Sequence, residues 1–408
     1  MRNPLGIFGK ACFGFPLLLA SLAVSSAILS VAHAGEFSGN ISLEGRYFTS
    51  DPAHAGQEKT GGFAISVEPE YKHKWDDENQ QFTFTPYYRW DENDKERTHA
   101  DIRQLDYLRA KGDWEFQVGI GKKFWGVTES AHLVDIINQT DGVEGTDGED
   151  KLGQPMLRAS RLLENGSMDL FILPYFRERT FAGSAGRFRT GLVVDTDAAT
   201  YESSKEEKHI DYALRWSHTK DSMDLGLSYF DGTSRDPSFT VGAKNGSPAL
   251  VPHYPLIQQL GLDLQYTGEA TLWKLEVVHR RSDAENYTAA VGGFEHSLEA
   301  LESGAEVSLL GEYHFDKRGE SLTAPFQNDV FVGARLALND EASSELLGGT
   351  FYDLDNGSTS LRVEGSRRIG NGLKLNVEAQ VFTNIDESDP LNAFAKDDYI
   401  QVELQKFF

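Results

Sequence analysis

The feature that most constrains the fold is the end of the chain, where the residues alternate between two kinds of side chain. One face is largely apolar and the other is polar apart from one tyrosine: Ile400, Val402, Leu404 and Phe408, interrupted by Lys406, oppose Tyr399, Gln401, Glu403 and Gln405. Strict period-two alternation is typical of a β-strand with different surroundings on its two sides. A membrane barrel and a soluble sandwich both fit this strand.

The start of the chain predicts export. Arg2 and Lys10 lead into a long apolar run, which ends at a small-x-small site at 32–34. This order is that of a signal peptide, so we expect 1–34 to be removed after Sec-dependent export and the mature chain to begin at Gly35. A transmembrane anchor is the alternative, because the run approaches the roughly 20 residues that a bilayer needs.

Alternating runs recur along the mature chain. In one of them, Phe82 and Phe84 alternate with Thr83 and Thr85. Strands that cross a bilayer must close into a barrel, because backbone groups have no partners in lipid. We therefore predict an all-β fold, a transmembrane antiparallel β-barrel of about eighteen strands with sixteen as an alternative. In a soluble sandwich the same apolar faces would form the core.

The connections are of two lengths. Short polar turns are predicted at 76–80, 111–113, 164–167, 219–222, 267–270, 339–343 and 370–372. Longer loops are predicted at 49–60, 92–99, 122–154, 176–206, 233–254, 317–327 and 386–396, with two shorter ones near 283–287 and 355–357. Short periplasmic turns that alternate with long external loops are typical of outer-membrane barrels.

The loop at 122–154 carries the densest motif. Its candidate site residues are Lys122, Lys123, Trp125, Gly126, Glu129, Ser130, Asp135, Asn138 and Asp141. Leu133, Ile136 and Ile137 follow Thr128 at helical spacing, which predicts one or two helical turns with an apolar face. Such a face must pack on something, so we expect the loop to fold into the barrel and constrict the pore. An external loop packed on its neighbours is the alternative.

The motif resembles a known family. The residues that carry the likeness are Ile102-Arg103-Gln104, the strand 113–119, Phe124-Trp125-Gly126 and the Asp-x-x-Asn-x-x-Asp run at 135–141. They are similar to an uncharacterised proteobacterial Trp-Gly-loop outer-membrane family, which is related to eighteen-stranded alginate-export porins. This chain inserts Val127 and Thr128 after the Trp-Gly pair. The terminal Phe408 also resembles the assembly signal of Gram-negative outer-membrane barrels, which implies recognition by the barrel-assembly machinery.

Charge excludes some partners. The 39 basic residues include Arg2 and Lys10, so the mature chain carries 37 basic and 63 acidic residues and a net charge of −26. This argues against nucleic acid as a partner. Acidic residues concentrate in predicted outer loops, including 141–150, where divalent cations would bridge them to lipopolysaccharide. A dedicated calcium site is the more specific alternative, but the spacing of the acidic residues at 147–150 does not match that of an EF-hand.

Charged residues also alternate onto the predicted lumen. The densest ladder comprises Arg335, Arg362, Glu364, Arg368, Lys374 and Glu378. Ladders of opposite charge stabilise neighbouring strands, and together they would set ion selectivity. A basic track for an anionic solute is the alternative interpretation.

Motifs for catalysis are scarce. No G-x-S-x-G or close histidine pair is found, and the single cysteine, Cys12, lies in the predicted signal peptide. We therefore expect no enzyme activity, no cofactor and no metal site. The predicted function is an outer-membrane, porin-like channel for passive diffusion of a small hydrophilic solute. Polysaccharide export is the first alternative, and an outer-membrane hydrolase with a Ser-His pair from distant strands is the second.

Overall fold

The protein is built almost entirely from β-strands. The computed structural model describes residues 35–408 except Glu320 and Leu322, so the predicted signal peptide lies outside the described residues. In chain order the strands are β1 (Glu36–Phe48), β2 (Gly61–Trp75), β3 (Gln80–Asp91), β4 (His99–Lys111), β5 (Trp114–Gly121), β6 (Gln154–Leu163), β7 (Gly166–Leu173), β8 (Thr200–Tyr201), β9 (Asp211–Lys220), β10 (Met223–Thr233), β11 (Ser238–Lys244), β12 (Ser247–Tyr254), β13 (Leu256–Thr267), β14 (Thr271–Arg281), β15 (Asn286–Ser297), β16 (Glu306–Asp316), β17 (Asn328–Ala337), β18 (Glu345–Asp353), β19 (Thr359–Ile369), β20 (Leu373–Thr383) and β21 (Tyr399–Phe407).

Eighteen of these strands form one antiparallel sheet that closes on itself. Each strand pairs with the next along the chain, except that β7 pairs with β9 and β10 with β13. The seam is made by β1 and β21, where Asn40 lies opposite Phe407 and Phe48 opposite Tyr399. Closure pairs the backbone groups of every barrel strand on both sides. The prediction of an eighteen-stranded barrel is confirmed, and the sixteen-stranded alternative is wrong.

A second, small sheet lies within the long connections. β11 pairs with β12 in an antiparallel hairpin, and β12 pairs with β8 in parallel. The connection between β7 and β9 thus meets the connection between β10 and β13. Three short 3₁₀ helices occur at Thr196–Ala198, Glu206–Lys208 and Pro390–Phe394. Among the described residues, none of the helices has the length and apolar character needed to cross a membrane.

The two faces of the barrel wall differ in polarity. In β3, Trp90 is 44% exposed on the outside, whereas the neighbouring Arg89 is 6% exposed and points inward. The same alternation places Leu43 of β1 outside and Glu44 inside. The outer face therefore carries the large apolar side chains that a water-soluble protein would bury, a pattern typical of barrels surrounded by lipid.

The connections separate into two ends of the barrel. Those at 76–79, 112–113, 164–165, 221–222, 268–270, 298–305, 338–344 and 370–372 define the short-turn end. Because β1 starts and β21 finishes at the short-turn end, Gly35 and Phe408 both lie there.

The main buried apolar cluster lies inside the barrel. It combines Trp125, Val134, Ile136 and Ile137 from the connection between β5 and β6 with inward-facing residues of the wall, among them Phe171. Phe171 is 1% exposed, while the adjacent Leu170 points outward. The connection at 122–153, called the inner loop below, therefore packs against the inner wall.

Candidate functional site

The candidate site is the lumen, and the inner loop occupies much of it. The loop starts directly after Gly121, the last residue of β5. Asn138 closes its base, because its side-chain amide donates to the carbonyl oxygens of Gly121 (2.9 Å) and Leu152 (2.8 Å). The Asn138 Oδ1 accepts a hydrogen bond from the backbone nitrogen of Lys123 at 2.8 Å.

The two lysines at the start of the loop have different surroundings. Lys122 is exposed, whereas Lys123 is partly buried. Burial lowers the pKa of Lys123, and the nearby guanidinium of Arg158 lowers it further. Arg158 itself forms ion pairs with Glu115 (2.5 Å) and Asp169 (2.7 Å). Lys123 thus lies beside a compact charged cluster on β5 to β7.

The apolar side of the inner loop is buried on the wall. The Trp125 ring meets Phe171 of β7 edge-on, with the ring centres 5.8 Å apart. The guanidinium of Arg215 lies 5.1 Å from the Trp125 ring, and Val134 and Ile137 are fully buried. Since these contacts remove apolar surface from water, they favour the inward position of the loop.

Glu276 of β14 holds the middle of the loop. Its Oε1 accepts hydrogen bonds from the backbone nitrogens of Val127 (2.7 Å) and Thr128 (3.1 Å), and its Oε2 accepts one from Val134 (3.1 Å). In a helix begun at Thr128, the Val134 amide would bond the carbonyl four residues earlier. It bonds the wall instead, and the helical turns predicted over 133–137 are wrong: the segment forms turns and bends.

Gly126 allows the loop to approach this carboxylate. Its φ is +151°, in a region that side chains other than glycine rarely adopt. A Cβ at this position would lie 2.9 Å from His132 Nδ1 and 3.0 Å from Glu276 Oε1. The glycine of the Trp-Gly pair is therefore required by the close contact between the loop and β14.

A second wall carboxylate, Glu312 of β16, holds the next two residues. It accepts hydrogen bonds from the backbone nitrogens of Glu129 (2.8 Å) and Ser130 (2.9 Å) and from the Ser130 hydroxyl. Ser130 Oγ also lies 2.7 Å from His314 Nε2. In a Ser-His-acid relay the acid bonds the far nitrogen of the histidine. Here the acid bonds the serine and the loop amides, which is the geometry of a loop anchor.

The short-turn side of the loop meets a balanced charge network. Glu129 pairs with Arg335 of β17 at 2.7 Å and lies 3.8 Å from Lys274 of β14. Glu295 of β15 lies 3.3 Å from Lys274 and 3.4 Å from Arg335. Arg335, predicted to belong to the charge ladder of the lumen, instead joins β17 to the inner loop and to β15.

The far tip of the loop reaches β19. Asp147 pairs with Arg362 at 2.6 Å. The same guanidinium lies 2.5 Å from Glu364 and 3.2 Å from Glu378. Arg362, Glu364 and Glu378, three members of the predicted ladder, therefore lie together, and Asp147 of the inner loop joins them.

The two other members of the ladder lie apart. Arg368 and Lys374 are register partners of β19 and β20, near the short-turn end. Among the ion pairs of the described residues, none includes either of them. The six residues predicted to form one ladder thus separate into three groups. Arg335 bonds the inner loop, Glu364 and Glu378 surround Arg362, and Arg368 and Lys374 form a basic pair near the short-turn end.

Near β3 and β4 the loop contributes two buried carboxylates. Asp141 pairs with Arg103 at 2.8 Å and lies 3.0 Å from His99 Nε2, while Glu144 pairs with Arg89 at 2.6 Å. His99, Asp141 and Glu144 offer ligand atoms within 4.8 Å of one another, a donor set that metals use. Because two arginines already neutralise the carboxylates, we interpret the group as an internal charge network.

This network corrects the expectation for Asp141 and Glu144 in the acidic run at 141–150. The run was predicted to be part of a solvated outer loop, yet Asp141 is 0% exposed and Glu144 is buried, whereas Asp147, Glu149 and Asp150 are exposed. Burial would raise the pKa of Asp141, but the hydrogen bond to His99 and the charge of Arg103 outweigh burial and hold it at about 2. Period-two alternation does not extend to connections, so no sequence pattern predicts the buried position of Asp141.

Three further ion pairs lie within the loop or join it to the wall. His132 Nε2 lies 2.8 Å from Glu149, and its Nδ1 lies 3.9 Å from Glu276. Burial would lower the pKa of His132, but the two carboxylates outweigh burial and raise it to about 10. Asp135 lies 3.3 Å from Lys151. Burial raises the pKa of Asp135 in spite of that lysine.

A second connection, at 174–210, covers the end of the barrel opposite the short turns, called the long-loop end below. Its Arg187 is 1% exposed and pairs with Asp397 at 2.8 Å. The guanidinium also donates to the carbonyl oxygens of Ser50, Glu58, Lys59 and Lys396 and lies over the ring of Phe48. Arg187 was not among the residues predicted from the sequence. The one sequence signal is the Arg-Phe-Arg triplet at 187–189.

The last residue completes the seam of the barrel. The backbone nitrogen of Phe408 donates to Gly39 O, and Gly39 N donates to Phe408 O, both at 3.1 Å. The Phe408 ring lies 5.7 Å from the ring of Phe37 and is 48% exposed. The terminal residue therefore joins β1 through its backbone and its ring.

Comparison with known proteins identifies the fold. No protein-family model matches the chain, and no curated protein matches its sequence. Wzi of Escherichia coli, an outer-membrane protein involved in group 1 capsule assembly and a carbohydrate-binding β-barrel, is 11% identical, with 90% of this chain and 83% of that chain covered and a TM-score of 0.52. OccK8 (OprE) of Pseudomonas aeruginosa is 10% identical, with 91% and 98% covered and a TM-score of 0.51. OmpT of Vibrio cholerae is 10% identical, with 93% and 100% covered and a TM-score of 0.46.

These likenesses give the class of the fold. Together with the closed eighteen-stranded sheet, the first two show that the chain has the fold of outer-membrane β-barrels. At such identities the comparison concerns the fold alone. The resemblance to the Trp-Gly-loop family and to alginate-export porins stays a prediction from the sequence.

Proposed function

We propose that the protein is an outer-membrane channel through which small hydrophilic solutes diffuse passively. The support is a closed barrel with an apolar outer face, suited to lipid, and a charged inner face, suited to water. The proposal includes Sec-dependent export of the chain and contact of its external loops with lipopolysaccharide. The external side is the long-loop end.

The inner loop is proposed to set the width of the passage. The observation that carries this proposal is the ion pair between Glu129 and Arg335, at 2.7 Å. The loop leaves the wall at β5, and β17, which carries Arg335, is the ninth strand from β5 in either direction around the barrel. A loop that reaches the opposite wall must divide the lumen, so any solute passes beside it.

Deleting the loop tests the constriction. Full-length barrels inserted in planar bilayers should give discrete conductance steps, and replacing 128–150 by a short Gly-Ser linker should raise the single-channel conductance severalfold. A matched deletion of 242–247, at the tip of the hairpin of β11 and β12, should leave it unchanged. Equal conductance in the two deletions would contradict the constriction, and a folded wild-type barrel without any conductance would contradict the channel.

Carbohydrate binding linked to polysaccharide export is the second candidate. It is favoured because two connections, 122–153 and 174–210, cover much of the lumen. The second connection is held in place by Arg187, which bonds the carbonyl oxygens of Lys59 and Lys396 in two other external connections. A passage so covered suits a binding protein as well as an open pore. A folded barrel that binds oligosaccharides but stays silent in bilayers would support this candidate over the first.

A further inference from the structure

The lumen is covered unevenly by the inner loop. On the side of β14, the Glu276 side chain is 0% exposed, and on the side of β1 the Glu44 side chain is 4% exposed. Along β19 the Glu364 side chain remains 46% exposed although it points into the barrel. Arg335 of β17 remains 33% exposed. The more open part of the lumen, called the passage below, therefore lies between the edge of the inner loop and the wall formed by β17 to β20.

The charges that border this passage are unequal. Around Arg362 stand three carboxylates, Asp147 at 2.6 Å, Glu364 at 2.5 Å and Glu378 at 3.2 Å. One guanidinium faces three carboxylates, so the acidic groups of this cluster outnumber its basic group. The hydroxyl of Tyr399 also donates a hydrogen bond to Glu378 and adds no positive charge.

The remaining charged groups of the passage do not reverse that sign. Arg46 of β1, whose guanidinium lies 5.2 Å from the Tyr399 ring, pairs with Glu44 at 3.5 Å. Arg335 and Lys274 are matched by the carboxylates of Glu129 and Glu295, and the imidazole of His132 is matched by Glu149. The basic residues on this side without an ion pair among the described residues, Arg368 and Lys374, lie near the short-turn end, where Arg368 is exposed and Lys374 is partly exposed, so salt screens their charges. The excess charge at the loop is therefore negative.

We infer that the passage selects cations, with Asp147, Glu364 and Glu378 as the residues that set this preference, and that its solutes are neutral or positively charged. This inference rests on the proposed channel. A charge in a narrow passage acts on permeating ions at close range, where little solvent screens it. The alternative interpretation of the ladder, a basic track for anionic solutes, predicts the opposite preference, for anions.

The first test needs no variant. The full-length barrel is inserted in a planar bilayer between tenfold different KCl concentrations, and the reversal potential is measured. We expect a sign that gives potassium a permeability severalfold above that of chloride. In liposome swelling, lysine should enter faster than glutamine, and glutamine faster than glutamate.

The second test assigns the residues. Glu364→Gln with Glu378→Gln should bring the permeability ratio close to one, and Glu364→Gln alone, at a more exposed position, should lower it by a smaller factor. Glu164→Gln, in the turn between β6 and β7, is the matched control and should leave the ratio unchanged. Heat-modifiable migration on gels checks that each variant folds.

The outcomes separate the inference from the channel. Conductance with equal or chloride-favouring permeability in the wild type would overturn the inference and leave the channel intact. An unchanged ratio in both glutamate variants would overturn the residue assignment. A folded barrel with no conductance would overturn the channel and the selectivity together.

Discussion

Glu276 Oε1 accepts hydrogen bonds from both the backbone nitrogen (3.1 Å) and the hydroxyl (2.8 Å) of Thr128, a residue 148 positions earlier in the chain. The carboxylate is 0% exposed, and the nearest cationic group is His132 at 3.9 Å. A buried charge must be compensated by hydrogen bonds, and here the inner loop provides most of them. The loop and the wall are thus each stabilised by the other.

Removing the two wall carboxylates should release the inner loop. In Glu276→Ala with Glu312→Ala, several loop amides lose their acceptors, each at a cost of about 1–3 kcal/mol when they stay buried. We expect added protease cleavage within 122–153 and larger current fluctuations in bilayers, with the barrel still heat-modifiable. Glu306→Ala, exposed at the start of β16, is the control. Cleavage at the wild-type rate would contradict the anchoring role.

The attachment of the loop should weaken at high pH. The pKa of His132 is raised to about 10, above the value of about 6.5 for an unfolded histidine. The contribution of the protonated ring is therefore complete below pH of about 6.5 and is lost as pH rises through 10. Between pH 8 and 10.5 we expect loop cleavage to increase in the wild type. The loop of His132→Asn should already be cleaved faster at pH 8, and its cleavage should change less with pH. An equal increase of cleavage with pH in the wild type and the variant would show that His132 does not hold the loop.

Lys123 tests the charge at the base of the loop. Lys123→Glu adds a carboxylate next to Glu115 and Asp169, which are already paired with Arg158. Lys123 lies beside β5, away from the passage along β17 to β20, so the reversal potential in a KCl gradient should move toward cations, but by less than the Glu364 and Glu378 variants move it away from them. Lys220→Glu, at the exposed end of β9, serves as the control. An unchanged reversal potential in Lys123→Glu would remove this lysine from the constriction.

Arg187 should hold the connection at 174–210 in place. Arg187→Ala leaves the buried Asp397 without its partner, a change that typically costs about 3–5 kcal/mol. Arg187→Lys should restore little of this stability, because an ammonium does not reproduce the planar set of donors of a guanidinium. We expect earlier cleavage in 174–210 and a lower unfolding temperature for both variants, but not for Lys205→Ala in the same connection. Full rescue by lysine would argue against the guanidinium contacts.

Deleting Phe408 should impair assembly. The deletion removes two backbone hydrogen bonds to Gly39 and the ring contact with Phe37 at the seam. It also removes the aromatic terminus that is predicted to be recognised by the barrel-assembly machinery. The folded, heat-modifiable form in outer membranes should fall sharply while secretion continues, and Phe408→Tyr should retain most of it. Normal folding after the deletion would exclude an assembly signal at this residue.

The sequence by itself determined the wall of the barrel. Inward and outward residues alternate with period two, and that pattern needs only the local backbone and the difference between lipid and water. Trp90 outside and Arg89 inside follow it, as do the strand count and the two lengths of connection. The terminal alternation of 399–408 likewise predicted β21 and its exposed apolar face.

Only the tertiary structure decided where the connections go. Glu276, Glu312 and Arg335 each follow the strand pattern as ordinary inward residues, and nothing local indicates that they bind a loop more than 140 positions away. Irregular loops have no period, so Asp141 and Glu144 in the acidic run at 141–150 read as solvent-exposed, and the spacing over 133–137 predicted a helix that does not form. The position of the inner loop depends on hydrogen bonds to carboxylates and on burial against the wall, and both exist only once the barrel has closed.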